Sequence, residues 1–400
     1  MRVLCTAVAS AGHVNPLLPL ARALAAVGHD VTVASGPRAV AGAKPAGLQL
    51  VEAGLDEHEM ATQAAERLQH LPPSTRGIAM FATIAAPALL GDLLSQLDRL
   101  SPDLVINEEG EWGGPVLAAV AGVPAVTQGW GAPLWSEDEL EAIDSATAPL
   151  WREHDVTATS PAGLFDHLYI DPCPPLLQSP RATQVIQHRR TTRFEPFDSG
   201  DAAPPWLETR DPRPLVYATL GTVPTFNTAP QLLEALMQGL GELDVDAVVT
   251  VGSNNDPDDL QPRPENVRVE RHLSQVQVLS RSSLAITHGG AGSTLAALTF
   301  GLPLLLLPRG APSQQRLAAR CAELGAALVL DPNHTTPAAI RDATERLLDN
   351  PNYRASAHRI RESIGSEPQA PSLVPHLEAL AYVRNQHIPP SGATPPRNAR

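Results

Sequence analysis

Aromatic side chains are scarce in this sequence. Phe, Trp and Tyr make up 4% of its 400 residues, so a large core must be assembled mainly from Leu, Val and Ala. Cysteine is rarer still: Cys5, Cys173 and Cys321 are odd in number and widely spaced. That excludes a disulfide framework or a zinc-ligand pattern and leads us to expect a reducing, cytoplasmic setting. Positive charge is also short, with 29 Lys and Arg against 43 Asp and Glu and a net charge of −14. A nucleic-acid footprint or an affinity for anionic membrane is therefore not expected. Arg189, Arg190 and Arg193 form the one basic cluster, which reads as a solvated loop. No segment is expected to supply the roughly 20 apolar residues of a membrane span. The opening "MRVLCTAVAS" lacks the basic region and sustained apolar stretch of a signal peptide.

What is present is alternation. A hydrophobic content of 43% over 400 residues suits about two domains. "RVLCTAV" (2–8), "PLLPLARALAAVG" (16–28) and "DVTVAS" (30–35) read as strand, helix and strand, the βαβ unit of a parallel sheet. "PDLVIN" (102–107) and "VPAVTQ" (123–128) repeat the theme around an apolar helix. Residues 55–100 and 131–195 are less regular and richer in Trp, His and acidic residues, as ligand-facing insertions are. Between 195 and 214 the chain turns Pro-rich and aperiodic, and the alternation then restarts with "LVYATLG" (215–221), "DAVVTVG" (246–252), "LAITHGG" (284–290) and "LPLLLLP" (302–308). The expected architecture is α/β, two Rossmann-like domains with parallel sheets facing across a cleft. The boundaries fall at 1–200, a linker at 201–214, a second domain at 215–385 and a disordered Pro-rich tail at 386–400.

"LAITHGGAGSTLAAL" (284–298) carries the clearest chemistry. Ligands of parallel α/β sheets bind at the carboxyl ends of strands, and His288 stands at such an end. Gly289, Gly290 and Gly292 let the backbone approach a ligand without Cβ interference. The helix that follows offers free N–H groups and the positive end of its dipole to an anion. Ser293 and Thr294 can cap that helix or donate hydroxyls, and the whole reads as a diphosphate site. "YATLGTVPT" (217–225) ends another strand, so Thr222 could reach the same anion from the side.

With these motifs in view, the chain resembles the inverting glycosyltransferases of the two-Rossmann-domain (GT-B) type, especially actinobacterial enzymes that glycosylate antibiotics and other natural products. The resemblance runs from "GHVNPLLPLARAL" (12–24) through "DHLYIDPCPPLLQ" (166–178) and "THGGAGSTLAAL" to "LLDNPNYRASAHRI" (347–360). It implies a nucleoside diphosphate sugar, TDP-linked by analogy, held mainly by the second domain as a substrate, with no cofactor. A hydrophobic small-molecule acceptor would be held mainly by the first. It assigns the diphosphate to His288, Gly290, Ser293 and Thr294 with help from Thr222. "RHLSQ" (271–275) would line the nucleobase, His272 as a stacking face and Leu273 through its backbone. Related enzymes often bind sugar hydroxyls with an Asp-Gln pair where this chain has Ser313-Gln314. Losing the carboxylate suits a deoxygenated or amino-modified sugar, although a helix-start Ser beside a surface Gln reads equally well.

The same resemblance makes His13 the general base that takes the acceptor hydroxyl's proton. A group with pKa near 6.5 can do so at neutral pH; a helix cap is the competing reading. The family's orienting Asp falls at Glu108, with Glu109 and Glu111 as rivals. Trp112, Trp130, Trp135 and Trp151 are candidate acceptor walls or core. "NNDPDDL" (254–260) contains Asp-x-Asp but reads as a solvated turn, and no metal site is expected. Two other readings stay open: a nucleotide-sugar 2-epimerase, and a non-catalytic sugar-nucleotide-binding auxiliary of a partner transferase. A lipid acceptor at a membrane surface is disfavoured by the negative charge, and a homodimer is left open.

Overall fold

The computed structural model describes residues 1–43, 48–209, 213–223, 228–252 and 255–385. Seven strands form the first sheet: β1 (Arg2–Thr6), β2 (Asp30–Ser35), β3 (Gln49–Glu52), β4 (Leu104–Glu108), β5 (Ala125–Gln128), β6 (Leu168–Asp171) and β7 (Arg189–Thr191). Their order is β3-β2-β1-β4-β5-β6-β7, every pairing parallel. Six strands form the second: β8 (Leu215–Thr219), β9 (Asp246–Thr250), β10 (Val267–Glu270), β11 (Leu284–Thr287), β12 (Leu304–Leu306) and β13 (Ala327–Val329), in the order β10-β9-β8-β11-β12-β13, again parallel. Helices cover both faces, so the central strands β4, β8 and β11 are buried at every residue. That is why they read as unbroken apolar runs rather than as alternation. The α/β architecture of two parallel-sheet domains is therefore as expected.

The strand order decides where ligands can bind. In the first sheet the chain winds one way from β1 to β3 and the other way from β4 onward, which opens a crevice beyond the carboxyl ends of β1 and β4. The second sheet has its equivalent crevice between β8 and β11.

Three features differ from the expectations of the sequence. The chain does not divide at 214: Ala370, Leu373, Val374 and Leu377 pack in the first domain's core with Val3, Leu17 and Leu20. His29 Nε2 meets Glu378 Oε1 at 3.0 Å there. The last helix, Val374–Asn385, thus returns to the first domain. In the other direction, Cys173, Leu177, Phe194 and the linker's Leu207 are buried in the second domain's core. Second, one helical run, Thr75–Leu94, has 20 residues and a mean hydropathy of 1.7, long and apolar enough by length and composition to cross a membrane. The reason is tertiary: Ala82, Ala86, Leu89, Leu90 and Leu93 on its inner face are buried in the first domain's core. Third, Trp112 and Trp151 belong to that same core, with no more than 7% exposure, and are not acceptor walls. The expected tail beyond 385 lies outside the described residues.

Candidate active site

His13 sits in a short helix, Ala11–Val14, separated from the end of β1 by four residues. Its Nδ1 lies 2.8 Å from Glu108 Oε1, at the last position of β4. A carboxylate is an acceptor only, so Nδ1 carries the proton and Nε2 keeps a free lone pair, as a base requires. Glu108 is fully buried. Its Oε1 also accepts from the Val8 N–H at 3.2 Å, and its Oε2 from the Gly110 N–H at 2.7 Å and from the Trp130 indole N–H. With four donors on it, the carboxylate cannot swing away, and the longer Glu reaches His13 from a fixed position.

Its rivals are turned elsewhere. Glu111 accepts from Thr6 Oγ1 at 2.5 Å and from the N–H groups of Gly113 and Gly114 at 2.5 and 2.8 Å, closing the start of the helix Gly113–Ala121. Glu109 accepts from the Trp130 backbone N–H at 3.0 Å. Burial pushes both carboxyls up to about 7. Burial by itself would lower the His13 pKa. The charge and hydrogen bond of Glu108, with the charges of Glu57 and Glu109, outweigh it and raise the ring above its ordinary 6.5.

Aromatic edges frame the imidazole. Trp130 and Phe81 stand edge-on to it at centroid distances of 4.9 and 5.3 Å, and Trp135 packs against Trp130 at 5.5 Å. Phe81 opens a π-helical turn, Phe81–Ala85, within the long helix; such bulges re-aim side chains at functional sites. The double use of Trp130, as ring wall and as donor to Glu108, was not legible in the sequence. Its position directly beyond β5 was the one available signal.

In the second domain the four residues 287–290 make a tight bend. Gly289 adopts φ +79° and its N–H donates to Thr287 Oγ1 at 3.1 Å. The His288 ring is wedged between two glycines: a Cβ on Gly290 would fall 2.4 Å from Nε2, and one on Gly221 would fall 2.6 Å from Cε1. Burial, and then the charge of Arg309, lower the His288 pKa to about 4, so the ring is neutral at pH 7. Gly290 caps the helix Ala291–Thr299 without any side-chain cap bond, leaving the first-turn N–H groups free for an anion. Ser293 lies half-buried at this end and Thr222 is exposed beyond β8.

Several expected contacts are arranged differently. Thr294 is fully buried, its Oγ1 3.3 Å from Thr287 Oγ1, so its hydroxyl braces the bend and does not face a ligand. Gly292 has open space where a Cβ would stand, so no close approach requires a glycine there. Gln314 is 5% exposed and its Oε1 accepts from the Arg309 N–H at 2.8 Å; Ser313 beside it is half-buried. His272 is exposed just past β10, and Leu273 packs against the core that contains Leu295, which brings the "RHLSQ" segment back towards the helix that follows the 287–290 bend. Of "NNDPDDL", Asp256 caps a 3-10 turn and Asp258 pairs with Arg263 at 3.5 Å; Asn254 lies outside the described residues.

The two sites are joined across the domains. Arg316 Nη1 meets Glu139 Oε2 at 2.5 Å, and Arg320 Nε donates to the Leu176 carbonyl at 3.0 Å.

Two Rossmann-like domains, one with a carboxylate-bound histidine at its crevice and the other with a glycine-lined bend at the start of a helix, are those of a glycosyltransferase of the GT-B class. The chain belongs to the family described as erythromycin biosynthesis protein CIII-like, whose N-terminal domain it matches over residues 22–221 and C-terminal domain over 234–380. It is 31% identical to the TDP-daunosamine transferase of Streptomyces peucetius, over 98% of this chain and 99% of that one. It is 29% identical to the 10-deoxymethynolide desosaminyltransferase of Streptomyces venezuelae, over 98% and 100%. Among solved structures it resembles the spinosyn rhamnosyltransferase complexed with thymidine diphosphate, with a TM-score of 0.80 and 25% identity over 94% of this chain and 100% of that one.

Proposed function

We propose that this glycosyltransferase moves a deoxygenated or otherwise modified sugar from a TDP-linked donor to a hydroxyl of a hydrophobic natural-product acceptor, with inversion. The acceptor hydroxyl gives its proton to His13 Nε2 as its oxygen bonds the anomeric carbon. The bond from that carbon to the diphosphate breaks in the same displacement, and its electron pair leaves on the β-phosphate. Glu108 holds the ring in the needed tautomer and stabilises the imidazolium that forms. The first-turn N–H groups beyond Gly290, with His288, Ser293 and Thr222, take up the diphosphate. His272 and Leu273 line the base, and Ser313 faces the sugar, while the buried Gln314 holds the Arg309 backbone behind it. No metal or cofactor is called for.

The observation that carries this reading is the 2.8 Å bond from His13 Nδ1 to a fully buried Glu108, which leaves Nε2 free at the crevice. The thymidine nucleotides in the names of relatives support the choice of base. The phenyl and indole edges of Phe81 and Trp130 beside His13 suit an apolar acceptor.

The first test is thermal-shift binding of TDP, UDP and GDP to wild type and to His288→Ala. A ligand at a hundredfold excess over Kd raises stability by about 2.7 kcal/mol. A shift with TDP that disappears in the variant supports the donor site, and an acceptor screen with NMR of the product's anomeric configuration then follows. No shift with any nucleotide sinks the proposal. Donor isomerisation without an acceptor would replace it with the epimerase reading.

A further inference from the structure

The loop between β12 and the helix Pro312–Glu323 holds a cation that the proposed mechanism has not used. Register places it: Thr287 of β11 pairs with Leu306 of β12, and the Leu307 N–H donates to the Thr287 carbonyl at 2.9 Å. Arg309 follows three residues beyond the carboxyl end of β12, the neighbour of the strand from which the 287–290 bend departs. The Arg309 backbone is held by Gln314 Oε1 at 2.8 Å, and the backbone of Gln314 underlies Gly289, 3.3 Å from where its Cβ would be. The loop and the diphosphate bend are therefore one packed unit.

Among the described residues the guanidinium has no counter-charge. Arg309 Nε is buried without a hydrogen-bond partner, and no ion pair or side-chain hydrogen bond engages its guanidinium among those residues. Seven residues further on, the Arg316 charge is already taken by Glu139. The Arg309 charge nevertheless reaches the His288 ring, whose pKa it helps to depress, while burial lowers its own. A half-buried cation without a counter-charge among the described residues is costly to keep in a fold, and this one stands close enough to His288, in the bend where a diphosphate would bind, for its charge to act on the ring.

We propose that Arg309 is a donor-binding residue of this site, its planar fork engaging the β-phosphate oxygens of a nucleoside diphosphate sugar. The inference rests on the donor-site reading above and deepens it. In the transfer the acceptor oxygen gains the anomeric carbon, His13 gains the proton, and the β-phosphate gains an electron pair and one negative charge. A guanidinium binds that charge more strongly after the bond breaks than before, so it assists departure as well as binding. Because His288 is neutral, Arg309 supplies the positive charge that the histidine does not.

Calorimetric titration with TDP, TMP and thymidine tests this on wild type, Arg309→Met, Arg309→Lys and His288→Ala. Wild type should prefer TDP to TMP. Arg309→Met should weaken TDP about ten- to a hundredfold, the range of a charge-assisted bond, with thymidine affinity unchanged. Arg309→Lys should recover part of the loss, since it restores charge without the fork. The unliganded melting temperature of Arg309→Met should equal or exceed that of wild type, because an uncompensated charge has been removed. Unchanged TDP affinity in Arg309→Met overturns the proposal, and so does an equal loss for thymidine. Loss confined to the intact sugar nucleotide, with TDP unaffected, overturns it in favour of a sugar contact. If wild type itself binds no nucleotide, the donor-site reading falls first.

Discussion

Glu108 and His13 are 95 residues apart in the chain and 2.8 Å apart in space, and the same carboxylate is held from its other side by the Trp130 indole. His13, Glu108 and Trp130 therefore form a single hydrogen-bonded unit.

Removing members of that unit should have graded effects. His13→Ala should lower kcat by about 10²- to 10⁴-fold, the usual contribution of a general base, with donor affinity retained. Glu108→Gln should cost less, because an amide oxygen can still accept from Nδ1. Its pH profile should move: the base acts only when neutral and its pKa lies above 6.5, so wild-type activity rises with pH through that raised value. Taking away the Glu108 charge removes the main raising influence and should slide the acidic limb to lower pH. Rates measured from pH 5 to 9 decide this; a limb that stays in place would remove Glu108 from the mechanism.

The tryptophans should separate by role. Trp112→Ala opens a hole in the first domain's core and should cost about 3–5 kcal/mol. Trp130→Phe keeps the ring wall but loses the bond to Glu108, so it should reduce kcat with little change in melting temperature. Denaturation curves run beside turnover measurements check both.

Stability should fall as pH rises from about 4.5 towards 7. Glu109 and Glu111 are buried with pKa values raised from 4.5 to about 7, so the folded state binds their protons more tightly than the unfolded chain does. Their contribution is full below pH 4.5 and is lost as pH climbs through the folded value, on the order of 3 kcal/mol for each group. Glu109→Gln mimics the protonated form and should flatten that part of a melting-temperature profile. A variant profile parallel to that of wild type would disprove the account.

Gly290→Ala is a steric probe of the 287–290 bend. Gly290 has an ordinary φ of −62°, so its backbone tolerates alanine, but the new Cβ would collide with His288 Nε2. The ring must shift, at about 1–3 kcal/mol, and the donor KM should rise more than the acceptor KM. Gly221→Ala adds backbone strain at φ +83° and should be the less stable of the two by thermal melting.

Arg316 and Glu139 tie the helix that begins near Ser313 to the first domain. Each alanine variant should loosen donor and acceptor use together. The double variant should be less harmful than the sum, with a coupling of about 0.5–3 kcal/mol in a double-mutant cycle of kcat/KM. Strict additivity would show that the pair does not connect the sites.

Much of the fold and part of the site are legible in the order of residues alone. Strands of a parallel sheet are buried on both faces, so they stand out as short apolar runs between helices and mark out both domains. Their carboxyl ends carry the loops, which is why His13, Thr222 and His288 could be expected at or beyond strand ends, where the structure has them. The glycines beside His288 were legible because close backbone approach demands that residue type.

What the sequence determined by itself was therefore local: two rounds of strand and helix, a histidine after the first strand and a glycine bend after β11. Only the tertiary structure decided which glutamate meets His13, because Glu108, Glu109 and Glu111 are neighbours in the chain and differ only in the direction each leaves the end of β4. It also decided that Trp112 is core while Trp130 stands beside His13 and bonds Glu108, that Thr294 faces inward, that the last helix crosses back to the first domain, and that the Arg309 guanidinium has no ion-pair partner among the described residues. Periodicity reports which face of an element is apolar, but it carries no information on what packs against that face. Contacts between residues a hundred positions apart are set by sheet order and register, which appear only once the strands have paired.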